Sequence, residues 1–338
     1  MKVKKSELFE ALSKVKPALS DKAIIEQTDH FIFDNDYVRT YNDRIAISYP
    51  FKSGFHLAIK ADEFFKLISK IESQEIELSE SEGSLSITIE KTKGSIKGLI
   101  VTAAEVKCPA IIIKTKRWFM LPKNFSDAIR FCSFSADRNM LMKELTCLCI
   151  NNNYVLSSDN FRATKYEMDS KLPEFLLPAT VAQELAKHSP THYVIEAEGA
   201  WIHFKNADGV IFSSRVIEGE YPQEDVWGLF TQKGDSIVIP EGLKESLDRA
   251  KIFSQQITEV DDLIQIRVYK SGKLTCRGEG ALGWIEEEFK VDYKKKDFEV
   301  KVSPEALIEI LSHVKEMKVS DDKLYFGGEK FEHVISLI

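Results

Sequence analysis

The sequence predicts an α+β chain built from one unit, β-α-β-β-β, used six times. Three observations predict it. A short alternating strand, a break of one to three residues and an amphipathic helical stretch recur together. The copies are MKVKKSELFEAL from Met1, HLAIKADEFFKL from His56, WFMLPKNFSDAI from Trp118, EFLLPATVAQEL from Glu174, SIVIPEGLKESL from Ser236 and EVKVSPEALIEI from Glu299. The last inward apolar residues of the strands are Val3, Ile59, Leu121, Leu177, Ile239 and Val302, spaced by 56, 62, 56, 62 and 63 positions. Steps of two are 118, 118, 118 and 125 positions, so the units pair into three copies of a larger one. A fixed internal period of this kind marks a repeat architecture. Finally, each helical stretch is followed by three alternating segments punctuated by Asn, Asp and Gly, the signature of hairpins.

Taken in order, the first unit continues with HFIF, YVRTY and RIAISYPF, separated by DND and ND turns. The second has QEIELS, SLSITIE and SIKGLIV, and the third LTCLCI, YVLS and FRATKYEM with NNN and SDN breaks. The fourth has HYVIEA, AWIHFK and VIFSSRVI, the fifth LIQIRVY, KLTCR and WIEEEFKV, and the sixth MKVS, KLYFG and FEHVISLI. Pro122, Pro178, Pro240 and Pro304 are placed at helix starts, where a missing N–H costs nothing. Asp62, Glu63, Glu241 and Glu305 fall in first turns. Lys70, Arg130, Lys187, Lys251 and Lys315 fall in last turns, which complements the helix dipole without any ligand. Three domains are expected at 1–116, 117–233 and 234–338, joined near Thr115–Arg117 and Gln232–Gly234. Each is of ordinary domain size.

Composition narrows the class. With 338 residues the chain is too long for one ordinary core, and 43% hydrophobic content suffices for several. No apolar run is long enough for a membrane span. The N-terminal MKVKKSELFE lacks the apolar stretch of a secretory signal, so a cytoplasmic protein is expected. Five cysteines (Cys108, Cys132, Cys147, Cys149 and Cys276) contain no CxxC pair and suggest reduced, structural thiols. The net charge of −7 has the wrong sign for a protein that grips nucleic acid tightly. DNA contact, if any, must come from a local patch.

No catalytic constellation is visible, and neither a metal nor a cofactor is expected. Gly278, Gly280 and Gly283 satisfy GxGxxG, but Trp284–Phe289 alternates as a strand where a dinucleotide site needs a helix. Glu286, Glu287 and Glu288 would also repel a diphosphate. A hairpin loop is the better reading. His188 and His192 are spaced i, i+4, but Pro190 between them breaks a helix. No histidine, cysteine and carboxylate set has metal spacing.

Two segments are more specific. Phe212–Pro222 (FSSRVIEGEYP) reads by pattern alone as a strand and an inter-domain linker. It resembles the phrase f-x-S-(R/K)-(L/V)-(I/V)-(D/E)-G-x-(F/Y)-P that closes the second domain of bacterial sliding clamps, the β subunit of DNA polymerase III. Ser158–Ala163 (SDNFRA) looks like the T-D-G-H-R-L of the same family. The six units and three domains agree along the whole chain; the eukaryotic-type clamp, with two domains per chain, is a poorer match.

The resemblance implies a DNA-clamp fold of three similar domains, in a head-to-tail dimeric ring whose helices line a hole around duplex DNA. It implies a processivity factor, not an enzyme, that holds DNA by topology and tethers the replicative polymerase and the clamp loader. By analogy, weak DNA contacts fall to Lys14, Lys66, Lys123, Arg130, Lys187, Lys244 and Arg249, and to Lys22 on a first-domain loop. The partner-peptide cleft maps to Leu145, Ser158, Asn160, Phe161, Arg162, Ala163, Pro222, Val226 and Trp227, with Val334, Ile335, Ser336, Leu337 and Ile338. An apolar chain end also fits a closing core strand. Phe161 and Ala163 replace the family's His and Leu, and the tail lacks its Met-Pro-x-Arg-Leu ending, so partner peptides are expected to differ. The ring joint maps to Ile96, Ile252 and Phe253, with Lys91, Lys93 and Lys97 facing Glu286, Glu287 and Glu288; solvated edge strands would carry charge anyway. The alternative is a clamp-fold module that binds polymerase or loader without encircling DNA.

Overall fold

The structure is a computed structural model. It describes all residues except 21–24, 82, 92–93, 110–112, 114–116, 139, 160, 197–199, 231–233, 255–262, 282 and 338, and no side chains at 90–98 or 140–142. Both expected domain joins therefore fall largely outside the described residues.

All six repeated helices form where the apolar spacing places them. The first unit is β1 (Lys2–Lys4), α1 (Lys5–Val15), β2 (His30–Asp34), β3 (Tyr37–Asn42) and β4 (Ile45–Pro50). The second is β5 (His56–Lys60), α2 (Ala61–Lys70), β6 (Glu75–Ser81), β7 (Ser84–Lys91) and β8 (Gly94–Thr102). The third opens on a two-residue strand, β9 (Phe119–Met120), and α3 (Phe125–Cys132). Two long strands follow, β10 (Cys147–Ser158) and β11 (Arg162–Pro178). The fourth has α4 (Ala179–Ala186), β12 (His192–Ile195), β13 (Trp201–Lys205) and β14 (Ile211–Arg215). A short helix, α5 (Gln223–Trp227), intervenes. The fifth is β15 (Asp235–Val238), α6 (Leu243–Ser254), β16 (Ile264–Tyr269), β17 (Lys273–Gly280) and β18 (Gly283–Lys290). The sixth is β19 (Phe298–Val302), α7 (Pro304–Leu311), β20 (Glu316–Val319), β21 (Lys323–Gly327) and β22 (Phe331–Ser336).

Four expectations need correction. The Asn151-Asn152-Asn153 turn does not break a strand. Asn152 takes φ 52° and the ladder shifts register on both sides of it, so β10 runs through as a bulged strand. The third-unit strand FRATKYEM and the fourth-unit strand EFLLP likewise merge into β11. Pro122 and Pro240 lie in turns one step ahead of α3 and α6, while Pro304 is the first residue of α7, capped by Ser303. α5 lies in what pattern alone reads as linker.

The strands form four antiparallel sheets, ordered β1-β6-β7-β8, β5-β2-β3-β4-β14-β13-β12-β9, β10-β11-β22-β21-β20-β15 and β18-β17-β16-β19. By packing, the described residues fall into two compact units, Met1–Ser126 with Thr180–Glu218, and Asp127–Ala179 with Gly219–Ile338. The expected domains are a division by sequence repeat, these units one by contact. Each unit contains one sheet continued across an expected domain join, through β4–β14 in the first and β11–β22 in the second.

Cores follow from the patterning. In the first unit Leu8 and Leu12 of α1, Phe64 of α2, and Phe31, Phe33 and Ile59 of the sheet are fully buried. Phe64 meets Phe31 and Phe33 edge to face at 6.4 and 6.2 Å. Burial of each such side chain stabilises by about 1.5–3 kcal/mol. In the second unit α6 packs on the sheet of β16, β17 and β18. Gly278 explains the close fit: a Cβ there would run into the Ala250 carbonyl of α6. Gly280 pairs with Gly283 across the β17–β18 hairpin, so the GxGxxG is a strand turn. All five cysteines are free and buried.

Candidate functional site

The second unit gathers most of the residues assigned to the peptide cleft. The loop between β10 and β11 is tied by Asp159, whose Oδ1 accepts the N–H groups of Phe161 (2.8 Å) and Arg162 (2.7 Å). Its Oδ2 accepts Arg162 Nε at 3.0 Å. This loop turns Phe161 outward, 71% exposed. β22 then pairs with β11 in the register Arg162↔Ile335 and Ala163↔Val334, and the Ser336 N–H donates to the Phe161 carbonyl at 2.7 Å. Sequence-distant segments 158–163 and 334–337 are thereby adjacent.

Their side chains divide into two groups. Ala163, Val334, Ile335, Leu145, Val226 and Ser158 are buried, so the closing-strand role of the chain end is realised. Pro222 and Leu337 are half-buried and Ser336 is exposed. Phe161 and Trp227 (40% exposed) are the most exposed apolar groups among the described cleft residues. Asn160 and Ile338 lie outside the described residues.

Trp227 is set by neighbours that the sequence did not single out. Tyr154 of β10 meets it edge to face at 4.9 Å. Lys165 Nζ lies 4.5 Å from the centre of its indole and 5.0 Å from that of Phe230, while pairing with Glu332 at 2.5 Å. Lys165 and Glu332 sit opposite each other on β11 and β22, a relation visible only once that register is known. α5 itself is held through Gln223, whose Oε1 accepts from Asn151 Nδ2 at 3.0 Å.

Beneath the loop, β22 is fastened by a buried polar cluster. His333 Nδ1 lies 2.7 Å from Thr164 Oγ1, which lies 2.6 Å from Ser135 Oγ. Burial, followed by the charge of Arg162, pushes the His333 imidazole down to about 3, so it is neutral near pH 7.

The cations assigned to DNA are mostly already paired. In the first unit Lys66 binds Asp62 at 2.6 Å and Lys187 binds Glu184 at 2.7 Å. In the second, Arg130 bridges Asp127 (3.1 Å) and Glu309 (2.5 Å), Arg249 holds Glu287 bidentately (2.7 and 2.7 Å), and Lys244 donates to Ser312 Oγ at 2.7 Å. Lys14 and Lys123 have no ion pair among the described residues; Lys123 lies on the turn before α3, not on the helix. Lys22 falls outside the described residues.

For the ring joint, Ile252 on α6 is 59% exposed and Phe253 half-buried. The three glutamates of β18 have cations within the chain: Glu286 with Arg277 (3.7 Å), Glu287 with Arg249 and Glu288 with Lys273 (2.8 Å). Lys93 and the side chains of Lys91, Ile96 and Lys97 lie outside what the structure describes. Among the described residues no group of three or more His, Cys, Asp or Glu is placed to hold a metal, and no helix is long and apolar enough to cross a membrane.

No protein-family model and no curated protein matches this sequence. Solved structures do match over its full length. The chain is similar to the sliding clamp (DNA polymerase III subunit beta) of Bartonella birtlesii bound to griselimycin, with a TM-score of 0.76 and 14% identity, covering 100% of this chain and 98% of that one. A putative DNA polymerase III beta subunit of Eubacterium rectale gives 0.73 and 18%, and the beta subunit of Thermotoga maritima 0.73 and 17%, each with 100% and 98% coverage. At these identities the likeness establishes the fold: this chain has the sliding-clamp fold from end to end.

Proposed function

We propose that this chain is a divergent sliding clamp, a processivity factor that closes as a homodimer around duplex DNA and tethers a polymerase and a loader through short peptides. The observation that carries the reading is the full-length match of the chain to clamp structures. In this chain the β11–β22 pairing also brings 158–163 beside 334–337. The peptide would dock on the face bounded by Phe161 and Trp227. Apolar side chains offered beside a paired sheet end are a common way to bind an extended segment. The helix cations support the same reading. A ring that slides must not hold phosphates firmly, and ion pairs such as Arg130–Glu309 weaken each cation's hold on a passing backbone.

The direct test loads the protein on nicked circular DNA and then linearises it. A clamp is retained on circles and lost from linear molecules. Equal retention on both would rule out topological holding. Mass in solution separates the alternative: a strict monomer at working concentration points to an interaction module that does not encircle DNA.

A further inference from the structure

One surface of the second unit has a charge opposite to that of the chain. Two neighbouring turns, 270–272 after β16 and 291–297 before β19, together with the facing ends of β17 and β18, carry Lys270, Lys273, Lys290, Lys294, Lys295 and Lys296. Their carboxylates are Glu288, Asp292 and Asp297, and Asp235 and Asp321 lie near enough to act on Tyr293 of the second turn, five against six lysines. Glu288 is occupied by Lys273 at 2.8 Å, and Asp297 accepts the backbone N–H of Lys270 at 2.7 Å. The other five lysines are exposed and have no ion pair among the described residues. A net excess of positive charge is thus held in one place on a protein of net charge −7.

The surface is a built one. Gly272, at φ +81°, lets the two turns touch: its carbonyl accepts the Val291 N–H at 2.9 Å, and a Cβ would lie 2.8 Å from the Val291 oxygen. Tyr293 is buried and donates its hydroxyl to the Lys296 carbonyl at 2.7 Å, which pins the lysine run. The Tyr293 phenol is raised, chiefly by burial and then by Asp235, Asp297 and Asp321, so it stays a donor. Between the turns lies a groove of about 550 Å³ lined by Gly272, Lys273, Lys290, Val291, Asp292 and Lys294 among others.

We infer that this lysine-bearing groove is a second nucleic-acid contact, which binds the sugar-phosphate backbone without regard to sequence. An acidic peptide fits less well. Protein interfaces need a buried aromatic or aliphatic anchor and are depleted in lysine at their centres. Here Tyr293 and Phe298 are turned inward, and the exposed charged groups are five ammonium ions beside the carboxylates of Glu288, Asp292 and Asp297. Phosphate contact needs only such point charges, and the turns present none of the Arg, Asn or Gln that read base edges. The contact is independent of encirclement, since it needs no closed ring.

The test measures binding of the full protein to a short linear duplex across a salt series, beside K294E/K295E/K296E and a reference variant K14A/K66A. The triple variant is expected to bind at least tenfold more weakly at low salt. Its log–log salt slope should be shallower by up to about 2.7, at roughly 0.9 for each phosphate no longer neutralised. Circular dichroism and the retention of both variants on nicked circles report folding and the clamp reading separately. Unchanged duplex affinity in a folded triple variant overturns the inference, whatever the circles show. Poly-glutamate binding more tightly than the duplex at the same salt, and abolished in the triple variant, overturns it in favour of an acidic-peptide partner.

Discussion

His333 is an internal polar residue whose neutral form the fold requires. Its imidazole titrates near 3 in the folded chain against 6.5 when unfolded, so between those values the unfolded state binds more protons. Its contribution is complete above pH 6.5 and is lost as pH falls toward 3. His188 and His203, buried in the first unit, are lowered in the same direction. Urea midpoints followed by near-UV circular dichroism should fall from pH 7 to pH 5, by about 2 kcal/mol from His333 alone, at about 1.4 kcal/mol per unit. H333Q should flatten that dependence in the second unit. Gly278 makes an independent prediction: G278A forces α6 away from β17 and should cost about 1–3 kcal/mol in the same assay, with the far-UV spectrum retained. Neither residue's role was legible in the sequence. Ser135 and His333 are 198 positions apart, and Gly278 read as a turn residue, when close approach of a helix is what excludes a side chain. The structural role of the cysteines was legible from their number and the missing CxxC: Cys147 and Cys149, for example, are buried thiols with their pKa raised chiefly by burial.

Among elements, helices were the most legible because their apolar period spans several turns. α5 escaped because five residues cannot show a period, and β10 because a triple Asn reads as a turn when the chain in fact passes through a bulge. The β11–β22 pairing, on which the candidate cleft depends, was not legible: family resemblance grouped 158–163 with 334–338 in one cleft but gave no strand partner, and no local pattern ties Arg162 to Ile335. Two predictions belong here. F161A and W227A should each weaken a polymerase-derived clamp-binding peptide by at least tenfold in fluorescence anisotropy, with duplex binding unchanged. Asp62→Asn releases Lys66 from its partner, and Glu309→Gln releases Arg130 from one of its two, leaving Asp127. Each should strengthen binding to linear duplex and steepen its salt slope by about 0.9. An unchanged slope would mean that these helix faces do not meet phosphate.

At the scale of the whole chain, the sixfold period established the repeat and its pairing, while the sheet continuations became visible only in three dimensions. Twice a sheet crosses an expected domain join by pairing two strands that would otherwise be bare edges. Among the eight strands that end the described sheets are β8 in the first unit and β18 in the second, each with one side unpaired among the described residues. These two edges belong to different sequences, so a joint between them is heterologous: the edge of one copy meets the other kind of edge on the next. Such a joint never saturates in a single chain. It either returns on itself after a whole number of copies or propagates as a filament. On the proposed ring reading, light scattering should find one closed size across a wide concentration range, where a filament would grow with concentration, and a β18-edge charge reversal such as E286K/E288K should give monomers. Edge strands left bare are aggregation templates, so on the proposed ring reading closure would also take these two edges, of the eight sheet ends described, out of reach of stray pairing.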